Sequence, residues 1–295
     1  MDFGGTKIEA AALDSSGQFI SRVRAPNPGD YRRSILTVRD LVVQAEREAG
    51  VSGASVGVGM PGSLSPKTGR VRNSNSVWLN DKPFDKDLST ALERPIRIQN
   101  DANCFALSEA VDGAARGAAV VFGAILGTGC GGGVVVRGAL VEGANHIGGE
   151  WGHTPLPWPN PEEYRAHTCW CGRTDCLETW VSGSAFSADY RRATGRQSTG
   201  EEIIVAARRG EQEAVTAFER YVDRLGRALA TICDLLDPDV IVFGGGMSNV
   251  AELYDRAPSV IERFVFSDSF ATRVLPAMHG DSSGVRGAAW LWPAG

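Results

Sequence analysis

The run VVFGAILGTG, residues 120–129, is apolar and rich in β-branched residues until it stops at Gly-Thr-Gly. It is too short for a core helix and lacks a helical period, so it reads as a buried strand delivering the chain to a tight turn. VGVGMPG (56–62) and DVIVFGGG (239–246) repeat the design. Segments 33–49, 103–116 and 214–236 carry helix-like apolar spacing. Strands apolar on both faces that alternate with helices predict an α/β fold with parallel sheets. Glycine at the strand ends is what such folds use to bring backbone close to a ligand, where helix N-termini also favour anions.

Composition removes several function classes. A chain of 295 residues that is 43% hydrophobic can bury a full core and has room for two domains. The net charge of −5 and pI near 5.5, without a Lys/Arg block, give no footprint for nucleic acid. No signal-like N-terminus and no apolar run of about 20 residues is present, so a cytoplasmic protein with no membrane partner is expected.

MDFGGTK (1–7) offers an acid, two glycines, a hydroxyl and a lysine, with IEAAALD as the returning strand of a hairpin. It reads either as a phosphate cradle or as a plain tight turn. GTGCGGG (127–133) and FGGGMSN (243–249) are further glycine turns, and none of them fits the P-loop or dinucleotide patterns. Three such turns after strands point to a nucleotide held from several sides. In IRIQNDANCFALSEA (96–110), a short strand delivers Asn100 and Asp101 to a helix start. Capping is the ordinary reading of that placement. A carboxylate there could also take the proton of an attacking hydroxyl while the amide fixes its neighbour.

CWCGRTDCLE (169–178) gathers three of the six cysteines. In a reducing compartment this spacing reads as a metal site, with unliganded surface thiols as the plainer alternative. Zinc would take a fourth ligand from His167 or His153. A hydrolytic zinc needs an open coordination position, which three Cys and one His do not leave. Cys104, Cys130 and Cys233 read as packing residues.

DFGGTK, GMPGSLSP, NSNSVWLN, NDANC, GTGCGGG, GEWGH, CWCGRTDCLE and DPDVIVFGGG occur in an order that resembles the ROK family of sugar kinases and related repressors, over essentially the whole chain. PGSLSP, NSNSVWLNDKPFDKDL and HGDSSGVRGAAWLWP look most like bacterial ATP-dependent fructokinases. The resemblance implies an actin-like, hexokinase-like (ribonuclease H-like) fold of two α/β domains with a cleft between them. The expected domains are 1–115 with a C-terminal helix at about 281–295, and 116–280. The implied activity converts D-fructose to D-fructose 6-phosphate with Mg-ATP; the alternatives are a broader glucose/mannose hexokinase or an N-acetylhexosamine kinase.

By the same resemblance, Asp101 is the catalytic base, and Gly62, Asn100, Glu150, His153 and Glu178 bind sugar. Asp2, Gly4, Gly5, Thr6 and Lys7 form the first phosphate hairpin, with Asp2 holding magnesium through water. Gly127, Thr128 and Gly129 form the second phosphate loop, and Gly244, Gly245 and Gly246 the adenosine-side turn. A structural zinc is held by His153, Cys169, Cys171 and Cys176, leaving His167 a neighbour, and a homodimer is expected.

Two features depart from that pattern. Only Met1 precedes Asp2, so the first strand is expected to be shortened or its start to be missing, which would leave ladder groups unpaired and reduce stability or phosphate binding. His146 and Ile147 replace a glycine-rich turn, and His146 is expected to be a loop residue rather than a sugar contact. A repressor of this resemblance would carry a helix-turn-helix ahead of the hairpin, and the reading favours the kinase.

Overall fold

The structure, a computed structural model, describes residues 1–292, so the last three residues of the expected helix 281–295 lie outside the described residues. The chain divides into two compact units. The first comprises residues 1–116, 133–149 and 278–295, and the second residues 117–132 and 150–277.

In the first unit, strands β1 (Asp2–Phe3), β2 (Lys7–Leu13), β3 (Phe19–Pro26), β4 (Val56–Met60) and β7 (Ile96–Asn100) form one sheet in the order β3-β2-β1-β4-β7. β1 is antiparallel to β2 and parallel to β4, and β4 is parallel to β7, pairing Met60 with Asn100. Between β4 and β7 the chain makes a small ladder of β5 (Ser63–Leu64) and β6 (Val71–Arg72). β4, VGVGM, is buried at every position, as a central strand covered on both faces should be.

Helix α1 (Tyr31–Ala49) starts where the Asp30 carboxylate accepts the Arg33 N–H and ends at Gly50 with φ 69°. It buries Ile35, Val38, Leu41, Val42 and Ala45, a stripe at helical spacing. These pack with Phe3, Val58 and Met60 of the sheet and with Phe84 and Leu88 of α2 (Phe84–Leu92). Helix α3 (Asp101–Val111) follows β7 directly.

The first strand is short, as expected. The Met1 ammonium donates to the Gly57 carbonyl at 3.0 Å. Beside Met1, a cavity of about 430 Å³ is lined by Ala12, Leu13, Val56, Gly57 and Trp290.

Strands β8 (Val120–Leu126), β9 (Cys130–Val136), β10 (Ala139–Leu140), β11 (Val240–Gly244) and β12 (Arg273–Pro276) form another sheet, in the order β10-β9-β8-β11-β12. β11 runs parallel to both β8 and β12 and is wholly buried. Around it in the second unit lie α4 (Glu178–Val181), α5 (Gly183–Thr194), α6 (Gly200–Arg208), α7 (Gln212–Leu236) and α8 (Glu252–Phe264), while α9 (Ser283–Ala289) belongs to the first unit. α7 buries Tyr221, Leu225 and Leu229 on one face. Its Arg224 and Arg227 are buried too, held by Glu163 and Asp189. Among the described residues no helix is long and apolar enough to cross a membrane.

Candidate active site

In the first unit the expected residues collect at the C-terminal ends of β4 and β7, where parallel sheets place ligands. Asn100 caps α3: its Oδ1 accepts the Ala102 N–H at 2.9 Å, and its Nδ2 donates to the Gly62 carbonyl at 3.2 Å. The Asp101 Oδ1 accepts the same Ala102 N–H at 2.9 Å. The capping reading of this motif is met by these bonds. The pair caps the helix, and the Asp101 carboxylate sits in the first turn, exposed.

The β1–β2 hairpin closes with the Gly4 N–H on the Lys7 carbonyl at 2.9 Å, and Asn27 braces it by donating to the Gly4 and Thr6 carbonyls. Gly5 and Thr6 are exposed at its tip. Burial raises the Asp2 carboxyl above its ordinary range; the Met1 ammonium opposes this and Glu9 adds to it. A cation beside Asp2 would relieve that cost, which suits the residue to a metal's outer sphere.

NSNSVWLN lies beside the hairpin. Ser76 Oγ would lie 3.7 Å from a Cβ on Gly5, and Asn80 both accepts from the Ser74 N–H and donates to the Ser74 carbonyl. His146 bonds the Leu64 carbonyl through Nδ1 at 3.2 Å, in a loop, as expected.

In the second unit the two other glycine turns meet. Register pairs Gly244 with Ile125, and Gly245, at φ 79°, lies so close to Leu126 and Gly127 that a Cβ would come within 2.7–2.9 Å of their backbone. The Gly127 carbonyl accepts the N–H of Gly183, the first residue of α5, at 2.7 Å. A cavity of about 760 Å³ opens here, with Gly127, Thr128 and Gly246 on one side and Ser184, Glu201 and Arg208 on the other. The α5 and α6 residues were missed by sequence reasoning. The signal available was the Thr199–Glu202 capping box, which marks the N-terminus of a helix aimed at the turns.

His153, Cys169, Cys171 and Cys176 bring their donor atoms within 4.8 Å of one another. Cys169 Sγ is 3.7 Å from His153 Nδ1, and Cys171 Sγ is 3.6 Å from Cys176 Sγ. Burial, then the neighbouring thiols, pushes Cys176 up to about 12, and burial also raises Cys169. Burial opposes ionisation of Cys171 too, but the Arg173 N–H and the neighbouring thiols outweigh it and hold that thiol below its ordinary value. Ionising the two raised thiols is favoured by a cation among them, and three sulfurs with one imidazole suit tetrahedral zinc. His167 is outside the cluster, its ring tilted over Trp180 at 4.2 Å between centroids.

Just beyond the last cysteine, Glu178 opens α4 with both carboxylate oxygens held: Oε2 accepts the Cys130 N–H at 3.0 Å and Oε1 the Trp170 indole N–H at 2.6 Å. Glu150, exposed, precedes the 3₁₀ turn Trp151–His153.

The chain matches the ROK family over residues 1–294, and it belongs to that family. It is 40% identical over 295 residues to the N-acetyl-D-glucosamine kinase of Yersinia pseudotuberculosis serotype O:1b (strain IP 31758) and 39% identical to that of Vibrio cholerae serotype O1, covering 98% of this chain and 97% of each relative. Among solved structures it resembles the ROK hexokinase from Thermus thermophilus (TM-score 0.88, 32% identity, 98% of this chain and 95% of the other). It also resembles the ROK family glucokinase from Streptomyces griseus in complex with glucose and AMPPNP (TM-score 0.80, 28% identity, 100% and 98%). The expected actin-like, hexokinase-like fold class is borne out.

Proposed function

We propose that this ROK-family sugar kinase transfers the γ-phosphoryl group of ATP to an N-acetylhexosamine, foremost N-acetyl-D-glucosamine, at its 6-hydroxyl. The observation that carries the sugar is the identity of 39–40% along nearly the whole chain to kinases named for it. The fructose expectation rested chiefly on PGSLSP and NSNSVWLN, with HGDSSGVRGAAWLWP at the C-terminal end. In the second of these, Ser74 and Asn80 bond each other and Ser76 lies beside the phosphate hairpin, so its side chains brace structure rather than report on a sugar. The alternative first set beside fructose is therefore preferred.

In this reading the adenosine lies in the 760 Å³ cavity beside the turn at Gly127–Gly129, and the hairpin of Gly4, Gly5, Thr6 and Lys7 also binds phosphate. Magnesium, when bound, neutralises phosphate charge, and Asp2 would hold it through water. Asp101 removes the proton of the 6-hydroxyl as that oxygen attacks the γ-phosphorus and ADP departs. Asn100, fixed by its bonds to Gly62 and Ala102, orients the sugar, while Glu150, His153 and Glu178 accept or donate at its hydroxyls. Zinc in the Cys₃His cluster would be structural, with its tetrahedron filled by protein.

The test is an ADP-release assay across N-acetylglucosamine, N-acetylmannosamine, glucose, mannose and fructose. The reading expects the highest kcat/KM for N-acetylglucosamine. A clear preference for fructose would restore the first expectation, and absence of phosphorylation with every sugar would remove the kinase itself.

A further inference from the structure

Trp170 stands between two of the clustered cysteines, yet 66% of its surface is exposed, so core burial does not explain it. Its indole N–H donates to Glu178 Oε1 at 2.6 Å, and its ring meets His153 edge-on, with centroids 5.1 Å apart and planes at 82°. The Cys130 N–H holds the other oxygen of Glu178 at 3.0 Å. A carboxylate offers about four acceptor sites, and only two are taken by these donors. The group is thus clamped at both oxygens and still able to accept from a ligand. A hydrogen bond from a neutral donor to a charged acceptor is among the stronger kinds, and the fixed indole plane sets its direction.

We propose that Trp170 is a positioning residue for sugar recognition: its indole N–H locks the Glu178 carboxylate in the orientation that accepts one particular sugar hydroxyl. The inference rests on the reading that Glu178 binds sugar. A site built to bond a hydroxyl rejects the analogue that lacks it, because a buried polar group is then left unpaired. That rejection depends on the carboxylate being unable to turn away. Trp170 therefore governs discrimination as well as affinity.

The experiment uses the full chain with its metal and the monodeoxy analogues of N-acetylglucosamine. Glu178→Gln identifies the hydroxyl: discrimination against the deoxy sugar should collapse at one ring position. Trp170→Phe should raise KM for N-acetylglucosamine about tenfold, leave KM for ATP and zinc content unchanged, and erode discrimination at that same position. Replacing Trp170 by β-(3-benzothienyl)alanine keeps the ring shape and removes only the N–H, and it should behave like Trp170→Phe. This also covers the case in which phenylalanine fails to fold. If the benzothienyl protein behaved as the parent, Trp170 would be packing and the proposal would fall. Loss of zinc in either variant would make it a shield for the cluster instead. If Glu178→Gln changed no discrimination at any position, the reading of Glu178 beneath the proposal would be the part that failed.

Discussion

Gly129 and Glu178 share a space that admits no side chain at the glycine: a Cβ there would lie 2.6 Å from Glu178 Oε2 and 3.5 Å from its Cδ. The same oxygen accepts the Cys130 N–H, so the second glycine turn and the carboxylate beyond the cysteines are fitted to one another. Gly129→Ala is expected to push the carboxylate off that N–H and raise KM for the sugar about tenfold, the usual scale for a lost bond to a charged group. Steady-state kinetics with sugar and ATP varied separately, alongside zinc analysis, check it. An unchanged sugar KM would mean that the turn yields instead.

Asp101→Asn keeps the Oδ1 acceptor that bonds the Ala102 N–H, so α3 should start as before and thermal unfolding should barely move. What the variant removes is the carboxylate's capacity to take a proton. Turnover is expected to fall about 10²–10⁴-fold, the ordinary contribution of a general base, with sugar binding by calorimetry retained. Turnover within a few-fold of the parent would take the base role from Asp101.

The parts of this protein that could be read from residue order are those whose physics is local. VGVGM and VIVFG announce buried strands because every position is apolar, and the three cysteines announce a cluster of donor atoms that could hold a metal because no packing role demands such spacing. What stayed hidden depends on partners far apart in the chain. Ser184, Glu201 and Arg208 belong to ordinary amphipathic helices and come to line a cavity only when α5 and α6 arrive at the glycine turns. The bond from Trp170 to Glu178 was invisible because the surrounding thiols explained the motif already. Sugar preference was harder to read, because in NSNSVWLN Asn80 bonds the Ser74 backbone and so says little about a sugar.

Glu163 is buried with Arg224 at 2.7 Å and Arg227 at 2.9 Å, and Asp189 takes the other arm of Arg224 at 2.9 Å. Burial alone would raise both carboxyls, but the arginines outweigh it and hold both below the ordinary range. A depressed carboxylate contributes stability that is present above its unfolded value of about 4 and is lost as pH falls through the folded one. Melting temperature should therefore drop on acidification below about pH 4, and Glu163→Gln should show a shallower acid limb. At neutral pH that variant is expected to lose about 3–5 kcal/mol, since it leaves buried guanidinium groups underpaired. Denaturant unfolding gives the number, and a loss under 1 kcal/mol would mean that water replaces the carboxylate.

The metal cluster yields a prediction that separates ligands from neighbours. Cys176 is buried and its thiol is pushed up to about 12, so in the absence of a cation that thiol should be protonated and the loop held by backbone bonds such as Cys169 to Arg173 and Asp175 to His167, by the Asp175 carboxylate on the His167 N–H and by the Trp170 bond to Glu178. Because metal binding and local folding are linked, zinc removal should loosen the segment from Glu150 to Glu178. Elemental analysis is expected to find about one zinc per chain, in keeping with a single Cys₃His site. A strong chelator should abolish activity in a way that magnesium cannot reverse but zinc can, and Cys176→Ser should reproduce the stripped state. His167→Ala should keep its zinc, as that ring lies on Trp180 outside the cluster, and should lose only stacking contact. Full activity in zinc-free protein, or zinc loss in the His167 variant with retention in Cys176→Ser, would overturn the ligand assignment.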